Sequence, residues 1–332
     1  MIEVFGKKCE KGQKLFFSVD GPQYANRATM QIPVIVLCGA EDGPTFWING
    51  TVHGDEINGS YAAWKLAREL NPSDVRGNVI VTPLANGAAF VEQCKVSSID
   101  GLDMDTQFPG VSDGMAAQIM AKIIYDEVKK HASFLVNFHT ISHLYDAQPY
   151  TVSKIVPGAD AEVNKKALEL ALVFGVKANC VVDLSNAAGE LPGVTSGALD
   201  ITCIRDGVPA FMGEIGHGGV ADPEMMAVAR QGLLNIMISQ GMIDGEIQRV
   251  DTQYRITKRK FVRSAIGGLI EMDVKPGDIV KNNTEIAHFH FYDDNLIPFK
   301  VEQDSYIIAT RVCPAFNSGD RVAFLGLEWE KI

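Results

Sequence analysis

Apolar positions recur along this chain with two periods, one suited to strands and one to helices, in regular exchange. IPVIVLCGA (32–40) is apolar and β-branched, which predicts a buried strand, and EDGP after it predicts a turn. TFWING (45–50) predicts a second strand. From there Ile57, Ala62, Ala63, Leu66, Ala67 and Leu70 fall on one helical face, and Asn71-Pro72 ends that helix. NVIVTPLAN (78–86) reads as a strand running into a loop. SDGMAAQIMAKIIYDEVKK (112–130) reads as a helix with Ser112 or Asp113 as its cap. SFLVNF (133–138) and NCVVDL (179–184) are further strands, separated by the helical DAEVNKKALELALVFGV (160–176). A last helix is expected around 223–240. Strands alternating with helices between residues 30 and 245 imply an α/β sheet covered on both faces. Ligands in such a fold gather at the carboxyl ends of the strands.

The rhythm changes near Gln248. From there to Ile332 the chain offers short β-prone pieces punctuated by GG, KPGD, NN and SGD, with no long helical pattern. The expected organisation is an α/β domain over 1–247, its first ~30 residues a β-type extension, and a smaller all-β domain over 248–332.

Composition narrows the partners. The 332 residues are 46% hydrophobic and 21% charged, as in folded globular proteins. A formal charge of -11 argues against nucleic acid, because no dense basic block is available to displace counterions. The one basic cluster, RITKRKFVR (255–263), reads as a solvated hairpin or domain junction. No apolar run approaches the ~20 residues of a membrane span. The start, MIEVFGKKCE, lacks the pattern of an export signal, so a cytoplasmic protein is expected. Cysteines at 9, 38, 94, 180, 203 and 313 have neither zinc-finger nor redox spacing, and disulfides are not expected.

The chemistry begins with NGTVHGDEINGS (49–60), where His53 and Glu56 form H-x-x-E at a strand exit. An imidazole nitrogen and a carboxylate at that spacing can reach one ion if the backbone turns between them. A catalytic zinc takes three protein ligands and keeps a position for water. Taken alone the pair is a weak signal, and helix capping and surface polarity are its common explanation. Asp55 could cap the next helix or orient His53. A third ligand is best supplied by His139, since FLVNFHT places it at the end of another apolar strand. His143, four residues on, could contact substrate. In FMGEIGHGG (211–219), Glu214 stands between an apolar run and a glycine-rich turn. A carboxylate beside a metal-activated water can take its proton and pass one to a leaving amine.

HGDE, the segment GLDMDTQFPG (101–110), NFHT and GEIG, in that order, resemble the succinylglutamate desuccinylase/aspartoacylase family, which is related to zinc carboxypeptidases. The resemblance spans roughly residues 30–245. It implies a mixed sheet flanked by helices and one zinc ion held by His53, Glu56 and His139. It also implies a catalytic role for Glu214 in removing an acyl group from the nitrogen of an amino acid or related small amine. The family often carries D-L-N-R-x-F-P-G, where the arginine grips a substrate carboxylate. This chain has Asp105 and Thr106 at the Asn and Arg positions, and a threonine cannot make that two-pronged contact. The substrate could lack the carboxylate, present it elsewhere, or carry an amine that Asp105 attracts. Lys95 stands near where relatives have a carbonyl-polarising arginine, and Arg205 could replace the missing guanidinium.

SAIGGLIEMDVKPGDIVKNNTEIAHF (264–289) looks like half of a barrel-sandwich of the biotinyl/lipoyl type, without an acceptor lysine in a flanking motif. This implies a structural role, shielding the pocket or forming a homo-oligomer contact. His288 and His290 alternate on one strand and could face one ion. Three rivals to deacylation stay open: a metallocarboxypeptidase acting on small peptides, a zinc-binding protein without a reaction, and a structural oligomer scaffold that uses the β domain.

Overall fold

The computed structural model describes residues 1–185, 197–291 and 295–332. Its centre is a mixed sheet with thirteen strands among the described residues. Across the middle run Arg76–Thr82, Glu41–Gly50, Phe134–Ile141, Ala210–His217, Tyr150–Ile155 and Ala178–Asp183. Glu41–Gly50 pairs in parallel with both of its neighbours, and Phe134–Ile141 pairs in parallel with Ala210–His217. Thr29–Cys38 and Gln13–Gln23 continue the sheet antiparallel on one side.

Residues along these strands alternate between two apolar layers, as the two-residue period requires. Trp47, Ile80 and Leu135 face one cluster, which takes in Met120, Ile124 and Val128 of the helix Ala116–His131. Phe46, Ile48, Val79, Val81 and Val136 face the other, against the helices Asn58–Glu69, Ala161–Val173 and Pro223–Ser239. Leu66 sits at the centre of the second layer and is buried, so Leu66→Ala should cost about 2–5 kcal/mol. Asn58–Glu69 approaches Phe138 closely because residue 59 is glycine; a Cβ there would collide with the ring.

Two local expectations are corrected. EDGP is not the turn: the link is Gly39–Ala40, and Glu41 already pairs with Arg76. The next pair is Thr45 with Asn78, so the intervening residues bulge out, where the missing N–H of Pro44 costs no ladder bond. The helix expected from Ser112 or Asp113 starts instead at Ala116. Its end is capped from afar, by Asp100 accepting from the Ala117 N–H at 2.7 Å, while Gln118 accepts from Met115 N–H at 3.0 Å.

The sheet does not stop at residue 247. Ala178–Cys180 pairs in parallel with Tyr254–Ile256, and Tyr254–Arg263 pairs with Arg321–Lys331, which pairs in turn with Ser305–Arg311. A separate four-stranded sheet, in the order Leu296–Lys300, Glu285–His290, Gly268–Met272 and Ala315–Phe316, stands beyond it. The architecture is therefore a helix-flanked mixed sheet with a smaller all-β sheet at its C-terminal end. No described helix is long and apolar enough to cross a membrane. Cys9, Cys38, Cys94, Cys203 and Cys313 are free thiols.

Candidate active site

Register assembles the site. His139 pairs with Glu214, and Glu214 pairs with Tyr150, so three neighbouring strands present these residues in one row. Side chains directly opposite across a ladder share a face. His53 and Glu56 follow the end of Glu41–Gly50, beyond Thr51, which holds a left-handed φ of 54° while its Oγ1 donates to Ser60 Oγ at 2.8 Å. That reversal turns the H-x-x-E pair back over the sheet. Gly54 permits it, because a Cβ there would strike the Ala89 backbone.

The three sequence-predicted ligands converge. One atom from each of His53, Glu56 and His139 lies within 4.8 Å of the others. His53 Nδ1 is 2.9 Å from Glu56 Oε1, and His139 Nδ1 is 2.9 Å from Glu56 Oε2. The two Nδ1 atoms are 3.3 Å apart. Two imidazoles and a carboxylate aimed at one point, all three side chains buried, form a donor set of the kind zinc accepts.

Each ring is braced from behind. His53 Nε2 is 2.8 Å from Asp103 Oδ1. His139 Nε2 is 2.8 Å from the Asn137 amide and 3.8 Å from Asp105 Oδ1. Asn137 accepts from Asn49 Nδ2 at 2.8 Å, Asn49 accepts from Thr82 Oγ1 at 2.7 Å, and Thr82 accepts from the Trp47 indole at 3.0 Å. A buried polar chain thus runs through the sheet to the ligand histidine and holds its ring orientation.

The electrostatics reflect concentrated charge away from water. Burial alone would lower an imidazole, yet the Glu56 charge and the hydrogen bonds to Asp103 and Glu56 push His53 up to about 9. His139 is raised likewise against burial, chiefly by Asp105. Burial would raise the carboxyls of Glu56 and Asp103, but the paired histidines, with Lys95 for Asp103, hold both well below the usual range. Glu214 is different. Burial, with repulsion from Glu56, pushes it up to about 7, and its Oε2 is buried without a hydrogen-bond partner. A carboxylate poised near neutrality beside a ligand cluster is suited to exchange protons.

His53, Glu56, His139 and Glu214 line a cavity of about 270 Å³ together with Lys95, Asp105, Tyr150, Lys154 and Arg259. A larger hollow of about 370 Å³ beside Tyr61, Trp64 and Phe90 contains neither carboxylate nor imidazole. Of the other sequence candidates, Lys95 reaches the cavity and pairs with Asp103 at 3.2 Å. Thr106 does not line it; its hydroxyl donates to Asp103 O at 2.7 Å and accepts from Gln107. Arg205 is exposed at the end of the helix Leu199–Arg205, and His143 is exposed 3.8 Å from Asp55; neither lines the cavity. Asp55 provides no side-chain cap to Asn58–Glu69, and the carboxylates bonded to His53 are Glu56 and Asp103.

Sequence reasoning missed two groups. Asp103 accepts from the Asp105 N–H at 3.1 Å as a loop cap does, and it also braces His53. Its D-x-D spacing was the available signal. Arg259 lay in the cluster expected to be solvated, and it is 5% exposed. His288 and His290 form no metal-type cluster among the described residues: His288 pairs with Asp273 at 2.7 Å and His290 with Glu271 at 3.1 Å.

Comparison with known proteins agrees with this geometry. Residues 42–239 match the succinylglutamate desuccinylase/aspartoacylase catalytic domain. N-alpha-acetyl-L-2,4-diaminobutyric acid deacetylase of Halomonas elongata is 29% identical over 304 residues, covering 89% of this chain and 85% of that one. The product-bound ectoine utilization protein EutE (DoeB) from Ruegeria pomeroyi superposes with a TM-score of 0.82 at 25% identity, with 94% of each chain covered. A succinylglutamate desuccinylase/aspartoacylase structure from Rhodobacter sphaeroides has the same fold, with a TM-score of 0.84 at 24% identity and 98% of each chain covered. A metal-type donor set, a neutral-range carboxyl beside it and a domain match over most of the α/β region have one reading: this chain belongs to the succinylglutamate desuccinylase/aspartoacylase family and is a deacylase-type amidohydrolase of N-acylated small amines.

Proposed function

We propose that the protein removes an acetyl group from the nitrogen of an N-acetylated amino acid that carries a second amine. His53, Glu56 and His139 hold one zinc ion in this reading, and Glu214 is the proton carrier. A zinc ion there supplies the charge that acidifies a water molecule and polarises the acyl carbonyl. Glu214 accepts the proton of the attacking water and returns one to the departing nitrogen. Lys95, close to Asp103 at the cavity wall, adds positive charge where the carbonyl oxygen becomes anionic. Asp105 lines the same cavity and offers its carboxylate to the second, ammonium group of the substrate.

The single observation that carries the reading is the convergence of His53, Glu56 and His139 on one point beside the unpartnered Glu214. The choice of acetyl and diamine draws on the deacetylase from Halomonas elongata and on Thr106, which removes the family's arginine grip. The residues after 247 complete the cavity wall and, in the same proposal, form a barrel-sandwich-like shield over it. Free thiols at Cys9, Cys38, Cys94, Cys203 and Cys313 are in keeping with a cytoplasmic setting.

The test is metal analysis followed by turnover of acetyl, formyl and succinyl amides of acidic, neutral and diamine partners. About one zinc per chain and fastest release of acetate from the acetylated diamino acid are expected. Fastest cleavage of the succinyl-acidic pair, or zinc without any turnover, would overturn the proposal.

A further inference from the structure

The strand Tyr254–Arg263 breaks the two-residue rhythm. Strict alternation from the buried Ile256 would turn Lys258 and Lys260 inward and Arg259 outward. The pairing with Arg321–Lys331 shifts register between Ile256 and Lys258 and again between Lys258 and Arg259. Thr257 and Lys258 are both exposed, and Arg259 joins Ile256 on the inner face. Bulges of this kind re-aim side chains, and here one carries a guanidinium into the catalytic cavity.

Among the described residues, no carboxylate neutralises that guanidinium by contact. Its Nε is buried without a hydrogen-bond partner, and no ion pair holds it among the described residues. Its recorded neighbour is the Phe324 ring, 5.4 Å from the guanidinium carbon. An arginine cannot shed its proton to escape burial, and a buried charge without a partner is costly. The other cavity cations are differently placed. Lys154 is paired with the buried Asp200, Lys95 with Asp103, and the partly exposed Arg321 stacks on Phe261 at 4.1 Å.

We infer that Arg259 is the specificity residue that grips the substrate's α-carboxylate, supplying from the C-terminal strand the two-pronged contact that Thr106 cannot make. The inference rests on the deacetylation reading above. In an N-acyl amino acid, the carboxylate carbon lies two bonds from the nitrogen that Glu214 protonates. Arg259 lies close enough to bias both Glu214 and Tyr150 electrostatically. A guanidinium so placed pairs bidentately with the carboxylate and orients the leaving nitrogen toward Glu214. It also gives the residues after 247 a part in substrate selection.

The probes are N-acetyl-2,4-diaminobutyrate and its decarboxylated counterpart, N-acetyl-1,3-diaminopropane, which differ only in the carboxylate. Calorimetry on the zinc-loaded E214Q protein should show the acid binding about 100-fold more tightly than the amine. Adding R259M should remove that preference by weakening the acid alone, and R259K should restore part of it. Zinc content and thermal unfolding identify any misfolded variant, and R259K then carries the comparison. Equal affinity for both compounds in the Arg259-bearing protein, or equal losses for both on substitution, would overturn the assignment. Retained preference with no turnover of either compound by the wild type would sink the deacetylation reading and leave the carboxylate grip standing.

Discussion

Two parts of this molecule bring imidazoles against carboxylates at similar distances, and only one makes a site. In the small sheet, His288 lies 2.7 Å from Asp273 and 3.4 Å from Glu285, with side chains between 28% and 44% exposed. In the large sheet, His53 and His139 each lie 2.9 Å from Glu56, with side chains no more than 7% exposed. Water screens the first group, so its contacts contribute little to stability. The second group is largely shielded from bulk water, so the histidines and Glu56 shift one another far from their ordinary values. Proximity is common on protein surfaces; convergence of buried donors on one point is not.

The sharpest break of this contrast is His53→Ala, which should leave less than stoichiometric zinc after dialysis and reduce turnover to background. Chelation of the wild type should lower its melting temperature, since a ligand at a thousand times its Kd contributes about 4 kcal/mol. An unchanged melting temperature in the stripped protein would remove the metal from the account. Next in size is Glu214→Gln, with zinc content unchanged and kcat reduced about 10²–10⁴-fold. In the wild type, Glu214 works as a base only when ionised. Activity should therefore rise with pH through an acid limb at or below about 7, since a bound dication favours the ionised carboxylate. A limb that persists in Glu214→Gln would belong to another group.

Asp103→Ala should act more mildly, weakening zinc about 10–100-fold in competition with a chelator, because the His53 ring loses its brace. Zinc uptake at neutral pH should also release protons, as His53, raised to about 9, gives one up to bind. Uptake with no change in proton balance would show that the histidines are already neutral. At the bottom of the scale, His288→Ala should alter neither zinc content nor turnover and should shift stability by less than about 0.5 kcal/mol.

Much of this was legible in the sequence because burial repeats with the period of the local structure. The apolar runs at 32–40 and 133–138 mark strands, and the face from Ala62 to Ala67 marks a helix. His53, Glu56, His139 and Glu214 were visible because each stands where such a run stops. The remainder depends on contacts distant in sequence. Asp100 caps a helix sixteen residues later in the chain than itself, at Ala116, and only the folded loop reveals it over Ser112 or Asp113. Arg259 reads as outward-facing until bulges change the phase of its strand, and no local residue pattern announces where a ladder will slip. The parallel pairing of Ala178–Cys180 with Tyr254–Ile256 joins segments that composition separates.

That pairing limits how the chain can be shortened. A fragment ending at residue 247 would leave Ala178–Asp183 bare along one side, with unanswered amide and carbonyl groups in a row, an invitation to stick to other molecules. The cavity would open on the same flank. Trimming the polypeptide to its family-matching half would yield an adhesive remnant, not a miniature catalyst.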